Sequence, residues 1–396
     1  MANVLVVFAD GSLGGVARSA QTAGAAWKIA GHKVTFTPLA GIHSDRAAEF
    51  TDLGTITALR DVDWSDIDLV HLHHAALSAG TISQIEELLS AVSMAESWPP
   101  LLTHNVFGVN DQILDRWPGN RATAVLGEWA ADQYRFSRGA WHTIDLPFVV
   151  GNAQDTGFFR PPTADERELA RQKMQIANGQ RVVLRVGSPL PSKWDVRAYL
   201  RLATVLAHDG AQLILIGPPP DARVALERAG AIVRAMTSDD RVIRDSYWAA
   251  DAFALNSARG ESFGNVAMEA LLSGLPVVYR AREYRDNTPW EFQRFDGFYY
   301  ERTSAEWLAR AASGVLKRPD ATSREAMIEN YGLEAVARMQ SDLYARLATT
   351  GGPRRIGRAR GDRVIRPNIL HQARILARHN QLVSRIRELR VRRLIK

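Results

Sequence analysis

The chain has 396 residues, more than one compact core holds and an ordinary length for two domains. Hydrophobic residues make up 46% and charged residues 23%, a balance that excludes wholesale disorder and fibrous structure. The complete lack of cysteine excludes a disulfide framework, thiolate metal sites, redox dithiols and cysteine nucleophiles.

The net charge of +6 is unevenly laid out: residues 351–396 carry fourteen Arg or Lys against Asp362 and Glu388, leaving 1–350 an acidic body of net −6. The N-terminus has no basic leader and no small-residue cleavage pattern, and it reads as a buried strand that starts a domain. No window approaches 18 uncharged apolar residues, so no bilayer span is expected. The expectation is a cytoplasmic protein, peripheral at the inner face of the membrane if its tail binds there.

In chain order, short apolar runs lie at 4–8, 33–37, 68–72, 100–103, 181–186, 212–216, 252–255 and 276–279. Runs of this length with little polar alternation suit strands buried on both faces. Amphipathic stretches such as 15–30 and 196–207 fall between them, so the pattern is β-α-β with parallel sheets. The alternation occurs twice, separated by a Gly/Asn/Pro-rich linker at roughly 150–165. Two doubly wound domains with a cleft between them are expected, and such sheets bind ligands beyond the carboxyl ends of their strands. The boundaries are set at 1–160 for an acceptor-side domain, 161–330 for a donor-side domain, 331–350 for a closing helix packing back toward the first domain, and 351–396 for a basic tail.

Two loops point to phosphate chemistry. Gly11 through Gly15 follow the first strand and enter a helix, where paired glycines admit a ligand to the backbone and the helix N-terminus favours an anion. The stronger segment is ARGESFGNVAMEALLSGLPVV, 258–278: a Gly-rich loop, then a helix from Gly264 to about Ser273 closed by Gly274. Its turn offers the backbone N–H groups of Ser262, Phe263, Gly264 and Asn265 to a diphosphate, with the carboxylates Glu261 and Glu269 placed to accept from hydroxyls.

The Glu261-x7-Glu269 frame resembles the signature of the family-four retaining glycosyltransferases of GT-B fold. GGVAR at 14–18, AGHKVTF at 30–36, VHLHH at 70–74, LLTHN at 101–105, VVGNAQDTGFFRP at 149–161, RVGSPLPSKW at 185–194 and LILIGPPPD at 213–221 fall in the order that family shows. The resemblance covers about 1–350. It implies two Rossmann-like domains facing across a cleft and a hexosyltransferase taking a UDP- or GDP-sugar, with no metal or other cofactor. Glu261 would bind the donor sugar's hydroxyls and Glu269 the ribose. Gly14, Gly15, Gly187 and Ser188 would border the diphosphate, Lys193 would neutralise the leaving group, and His104 would line the reaction centre. His71, His73 and His74 compete with His104, and alternation puts His71 and His73 on one face of a strand. That HxH pair invites a metal reading, which the family does not need.

The chain also departs from the family. Ser188 stands where the family has a phosphate-binding Arg, and Trp194 replaces the glycine after the Lys. Arg185 lies two residues before Gly187 on the strand; Arg18, Arg259 or Arg282 would supply the missing charge. The stretch Asp286-Asn287-x-x-x-Glu291 resembles a region that flanks the donor nucleotide or the cleft mouth. No carboxylate nucleophile is evident, so front-face attack assisted by the leaving phosphate is expected. The alternatives are a nucleotide-sugar epimerase of the same fold, or a catalytically impaired scaffold that binds a partner. The acceptor is a glycan, lipid-linked molecule or protein.

If 368–396 is one helix, Arg374, Arg378, Arg385, Arg392 and Lys396 fall within a sector of about 40°, beside an apolar arc. That cationic edge suits an anionic membrane, self-association or packing on the acidic body. Nucleic acid is disfavoured, since 351–396 holds no Phe, Tyr or Trp to stack on bases.

Overall fold

The computed structural model describes residues 1–9, 15–74, 79–108, 112–137, 147–258, 260–281, 288–349 and 355–356. The first sheet contains β1 (Asn3–Phe8), β2 (Lys33–Pro38), β3 (Thr55–Ile56), β4 (Leu69–His74), β5 (Leu101–Asn105), β6 (Arg121–Val125) and β7 (Phe148–Val149). The second contains β8 (Val182–Val186), β9 (Gln212–Ile216), β10 (Ile232–Arg234), β11 (Ala252–Ser257), β12 (Val277–Ala281) and β13 (Phe298–Tyr300). A last short strand, β14 (Arg355–Ile356), returns to the edge of β6 beside β7.

The helices are α1 (Gly15–Ile29), α2 (Ser44–Thr51), α3 (Ala79–Ser93) and α4 (Glu128–Ser137) around the first sheet. Around the second are α5 (Ala164–Lys173), α6 (Val196–His208), α7 (Arg223–Arg228), α8 (Asp240–Ala249), α9 (Asn265–Leu272), α10 (Thr288–Phe292) and α11 (Ser304–Ala312). The chain then runs through α12 (Ala321–Tyr331) and α13 (Leu333–Thr349).

Both sheets are parallel and doubly wound. Their orders are β3-β2-β1-β4-β5-β6 and β10-β9-β8-β11-β12-β13, so each reverses direction once, between β1 and β4 and between β8 and β11. Such a switch opens a crevice at the carboxyl ends of the strands. The eight apolar runs read from the sequence are all strands. The expected first-sheet strands at 68–72 and 100–103 run on to His74 and Asn105, carrying polar side chains to the sheet end.

Alternation explains the four cores. Along β1, Val4, Val6 and Phe8 pack with Trp27 of α1 and with Val336 and Leu343 of α13, while Leu5 and Val7 pack with Ile85 and Leu88 of α3. In the second sheet Val182, Leu184 and Val186 join α8 and α9 on one face. Val183 joins Trp194, Tyr199 and Trp307 on the other. Because α13 packs on α1, residues 333–349 are tied to the first sheet although they follow the second in sequence. Both sheets belong to one compact unit, Met1–Arg358. The tail residues Arg374, Arg378, Arg385, Arg392 and Lys396, like Gly14, lie outside the described residues.

Candidate active site between the two sheets

The site is built around the start of α9. Gly264 caps that helix with φ 81° and ψ 55°, a left-handed conformation that favours glycine. Space enforces the same choice, since a Cβ there would lie 2.9 Å from Thr288 Oγ1. The helix covers Asn265–Leu272, one residue shorter at each end than expected, and Gly274 follows with φ 77°. Phe263 is buried edge-on against Phe292 and Tyr331 at 5.3 and 5.2 Å, so only its backbone remains for a ligand.

The N-terminus of α1 faces that of α9. Asn265 Nδ2 donates to Ser19 Oγ at 3.2 Å, and its Oδ1 accepts from Asn152 Nδ2 at 3.0 Å. A Cβ on Gly15 would sit 4.0 Å from Asn265 Nδ2. Two helix N-termini thus approach each other from different sheets, an arrangement that attracts anions.

Lys193 ends a short turn, Pro191–Lys193, after β8, and its Nζ lies 2.5 Å from Glu261 Oε2. Two of the expected catalytic groups therefore meet as an ion pair. Ser188 turns its carbonyl to Trp194 Nε1 at 2.8 Å, and Gly187 N–H donates to Ile216 O at 3.1 Å. The two departures from the family prove to be parts of one device. Strand parity sends Arg185 to the sheet face opposite α9, where it is buried with its guanidinium 4.7 Å from the centre of the Trp194 ring. It donates to the carbonyls of Val186 and, at 3.1 Å, Lys193. A Cβ on Gly187 would strike that guanidinium at 2.8 Å. Arg185 is therefore a staple under the Lys193 loop and does not replace the family's arginine.

Arg18 does reach the cleft. From the first turn of α1 it pairs with Asp240 at the start of α8 and lies over the Phe159 ring, 6.0 Å from its centre. Burial works against its charge, but Asp240 and Glu269 outweigh it and raise its pKa. Arg259 and Arg282, the other candidates, lie outside the described residues. Glu269 is buried and accepts from Tyr247 O–H at 2.9 Å. Burial raises its pKa, with Arg18 opposing.

His104 is buried at the end of β5, where its Nε2–H donates to Val150 O at 2.9 Å. Register does what sequence spacing could not show: His73 pairs with His104 across β4 and β5, and His71 lies one layer deeper on the same face. Their ring nitrogens come within 4.8 Å of one another. The donor chemistry does not suit a three-histidine metal site. Trp27 Nε1–H donates to His71 Nδ1 at 2.9 Å, which puts the neutral ring's hydrogen on Nε2, the atom that would have to ligate. Burial, with His104 adding to it, holds His71 far below its ordinary pKa.

Glu291, expected to flank the donor nucleotide or the cleft mouth, spans the two domains. It is buried on α10, accepts from the Glu128 N–H at the start of α4 at 3.0 Å, and accepts from Tyr331 O–H at 3.1 Å. It bolts the second sheet's helices to the first. Sequence reasoning missed this role and those of Asp240, Ser19 and Asn152, because their partners lie more than a hundred residues away.

Two facing Rossmann-like sheets with the site between them define the GT-B fold of glycosyltransferases. Residues 180–318, the domain that carries Lys193, Glu261 and Glu269, match the family model of group 1 glycosyl transferases. A search of curated protein sequences finds no match. Among solved structures, Anabaena HepE in complex with UDP and glucose is similar over 87% of this chain and 100% of its own, with a TM-score of 0.65 and 13% identity. A glycosyltransferase from Rickettsia africae is similar over 88% and 100%, at 0.64 and 12%. WaaG, a glycosyltransferase involved in lipopolysaccharide biosynthesis, is similar over 88% and 100%, at 0.53 and 13%. Identities this low establish the shared fold alone.

Proposed function

We propose that the protein is a retaining hexosyltransferase that takes a UDP-sugar donor and needs no metal. The observation that carries this reading is the Lys193–Glu261 pair beside the N-terminus of α9, opposite that of α1. The solved neighbour HepE was crystallised with UDP and glucose and with UDP-glucose, which favours UDP over GDP. In this scheme the amides of Ser262 to Asn265 and the N-terminus of α1 hold the diphosphate. Lys193 leaves Glu261 to neutralise the charge that grows on the leaving phosphate as the anomeric C–O bond breaks. Glu261 is freed to accept from the sugar's hydroxyls. The acceptor hydroxyl attacks from the leaving-group face and gives its proton to the departing phosphate oxygen, so configuration is retained. The protein contributes positioning and charge, with Arg18 in the place of the missing family arginine.

Glu269 fits the ribose-binding role because burial and Tyr247 fix its carboxylate on the cleft side of α9. His104 acts by lining the centre. Glu261→Ala and Lys193→Ala should each reduce UDP-glucose turnover at least tenfold with folding intact. Wild-type-like rates in both would sink the site assignment. The impaired-scaffold reading rests on Ser188 alone.

The acceptor in this reading is a glycan, a lipid-linked molecule or a protein. No helix among the described residues is long and apolar enough to cross a membrane. We place the protein at an anionic membrane surface through its basic tail, because the apolar arc beside the arginines suits an interface. Liposome flotation should fall on deletion of 351–396; equal flotation would end the membrane reading.

A further inference from the structure

A cavity lies on the other face of the second sheet, away from α9. Its volume is about 300 Å³, and α6, α11 and the end of β12 enclose it. Three arginines converge there. Arg197 and Arg201 stand one turn apart on α6, both exposed, with no hydrogen-bond or ion-pair partner among the described residues. Arg280 closes the wall from β12, its side chain 12% exposed. It donates to Asn256 Oδ1 at 3.2 Å, while its Nε is buried without a partner among the described residues.

The one carboxylate in the lining is Asp195, 3.7 Å from Arg280 and already engaged as the cap of α6. The start of α11 is likewise capped, by Thr303 in a reciprocal bond with Glu306. Among the described residues the free donors are therefore the guanidinium forks of Arg197 and Arg201 and the Ser304 hydroxyl, and with Arg280 the cavity keeps a charge of +2 within a body of net −6.

We propose that this cavity binds a small organic phosphomonoester. A charge of +2 matches a phosphomonoester, which carries about −1.5 to −2 at neutral pH, whereas a carboxylate would leave one charge unmet. Guanidinium forks recognise phosphate oxygens two at a time. The rest of the wall is apolar, formed by Ala198, Ala305 and Leu308, and gives the carbon body of such a ligand a surface that a bare ion would not use. The volume stands at the lower end of small-ligand sites, near 300 Å³. None of these groups belongs to the donor cleft, and the site does not depend on the donor assignment. It shares only a loop with it, since Asp195 is two residues beyond Lys193.

Isothermal titration of the full-length protein with glucose 6-phosphate and, separately, inorganic phosphate tests this. Wild type should bind glucose 6-phosphate, and the double substitution R197Q/R201Q should weaken binding at least tenfold. Both side chains are on the surface, so the thermal midpoint should not move, and UDP-glucose turnover should stay at the wild-type rate. Lys193→Ala should leave the titration unchanged. An affinity for glucose 6-phosphate at least tenfold above that for inorganic phosphate supports an organic ligand. Equal affinities overturn it in favour of free phosphate. Binding that survives R197Q/R201Q, that is lost in Lys193→Ala, or that fails to appear at about 10 mM overturns the site.

Discussion

The two sheets carry their polar chemistry in opposite ways. In the second, the groups that meet at the cleft come from two short segments, 185–194 and 257–269, and local turns set their positions. Gly264 fixes the start of α9, and the Pro191–Lys193 turn fixes the lysine. In the first, the cluster of Trp27, His71, His73 and His104 exists only because β4 and β5 pair in one register and α1 packs over them. A contiguous site can be read from its motif. A site assembled by register needs the fold.

Three substitutions would break or sharpen that contrast. The largest effect should come from Arg185→Ala in the second domain. It strands the carbonyls of Val186 and Lys193 and opens the space beside Trp194, costing about 2–4 kcal/mol of unfolding free energy. Turnover should fall with it, because the Lys193 loop loses its staple. A loss of stability without any loss of turnover would show that the loop holds its shape alone. Trp27→Phe in the first domain should cost less, about 1–2 kcal/mol, mainly by leaving His71 Nδ1 buried without its donor. Denaturant titration reads both.

The smallest effect is a change of slope with pH at the joint between the domains. Burial raises the pKa of Glu291 above its ordinary 4.5, although the Glu128 amide and Arg294 oppose it. As pH rises past 4.5 the unfolded carboxyl ionises first while the native one keeps its proton. Glu291 therefore withdraws stability from about that pH up to its folded value. Glu291→Gln cannot ionise and should flatten the fall in stability above pH 4.5, as read by denaturant titration at stepped pH. An unchanged slope would mean that Glu291 is not buried as described.

Much of the fold was visible in advance, for a physical reason. Strands buried on both faces must be apolar throughout, so eight of them stood out as runs. β6, with sequence RATAV, and the three-residue β10 and β13 offered too few large apolar side chains to be noticed. Glu261 and Lys193, which the fold brings together as an ion pair, stood out because they sit in loops with a strong pattern. The staple at Arg185 was within reach of strand parity, which sends alternate residues of β8 to opposite faces, but its partner Trp194 had to be seen packed against it. The bond of Glu291 to the start of α4 was not legible, because a carboxylate in a polar stretch gives no sign that it will be buried against another domain's helix.

The account rests on Glu261 and Lys193 acting together on a UDP-sugar. Release of UDP from UDP-glucose by the wild-type protein, Glu261→Ala and Lys193→Ala, each with its thermal midpoint checked, tests it most directly. The account predicts measurable release by wild type and at least a tenfold loss in each variant at an unchanged midpoint. Variants that release UDP at the wild-type rate would contradict it.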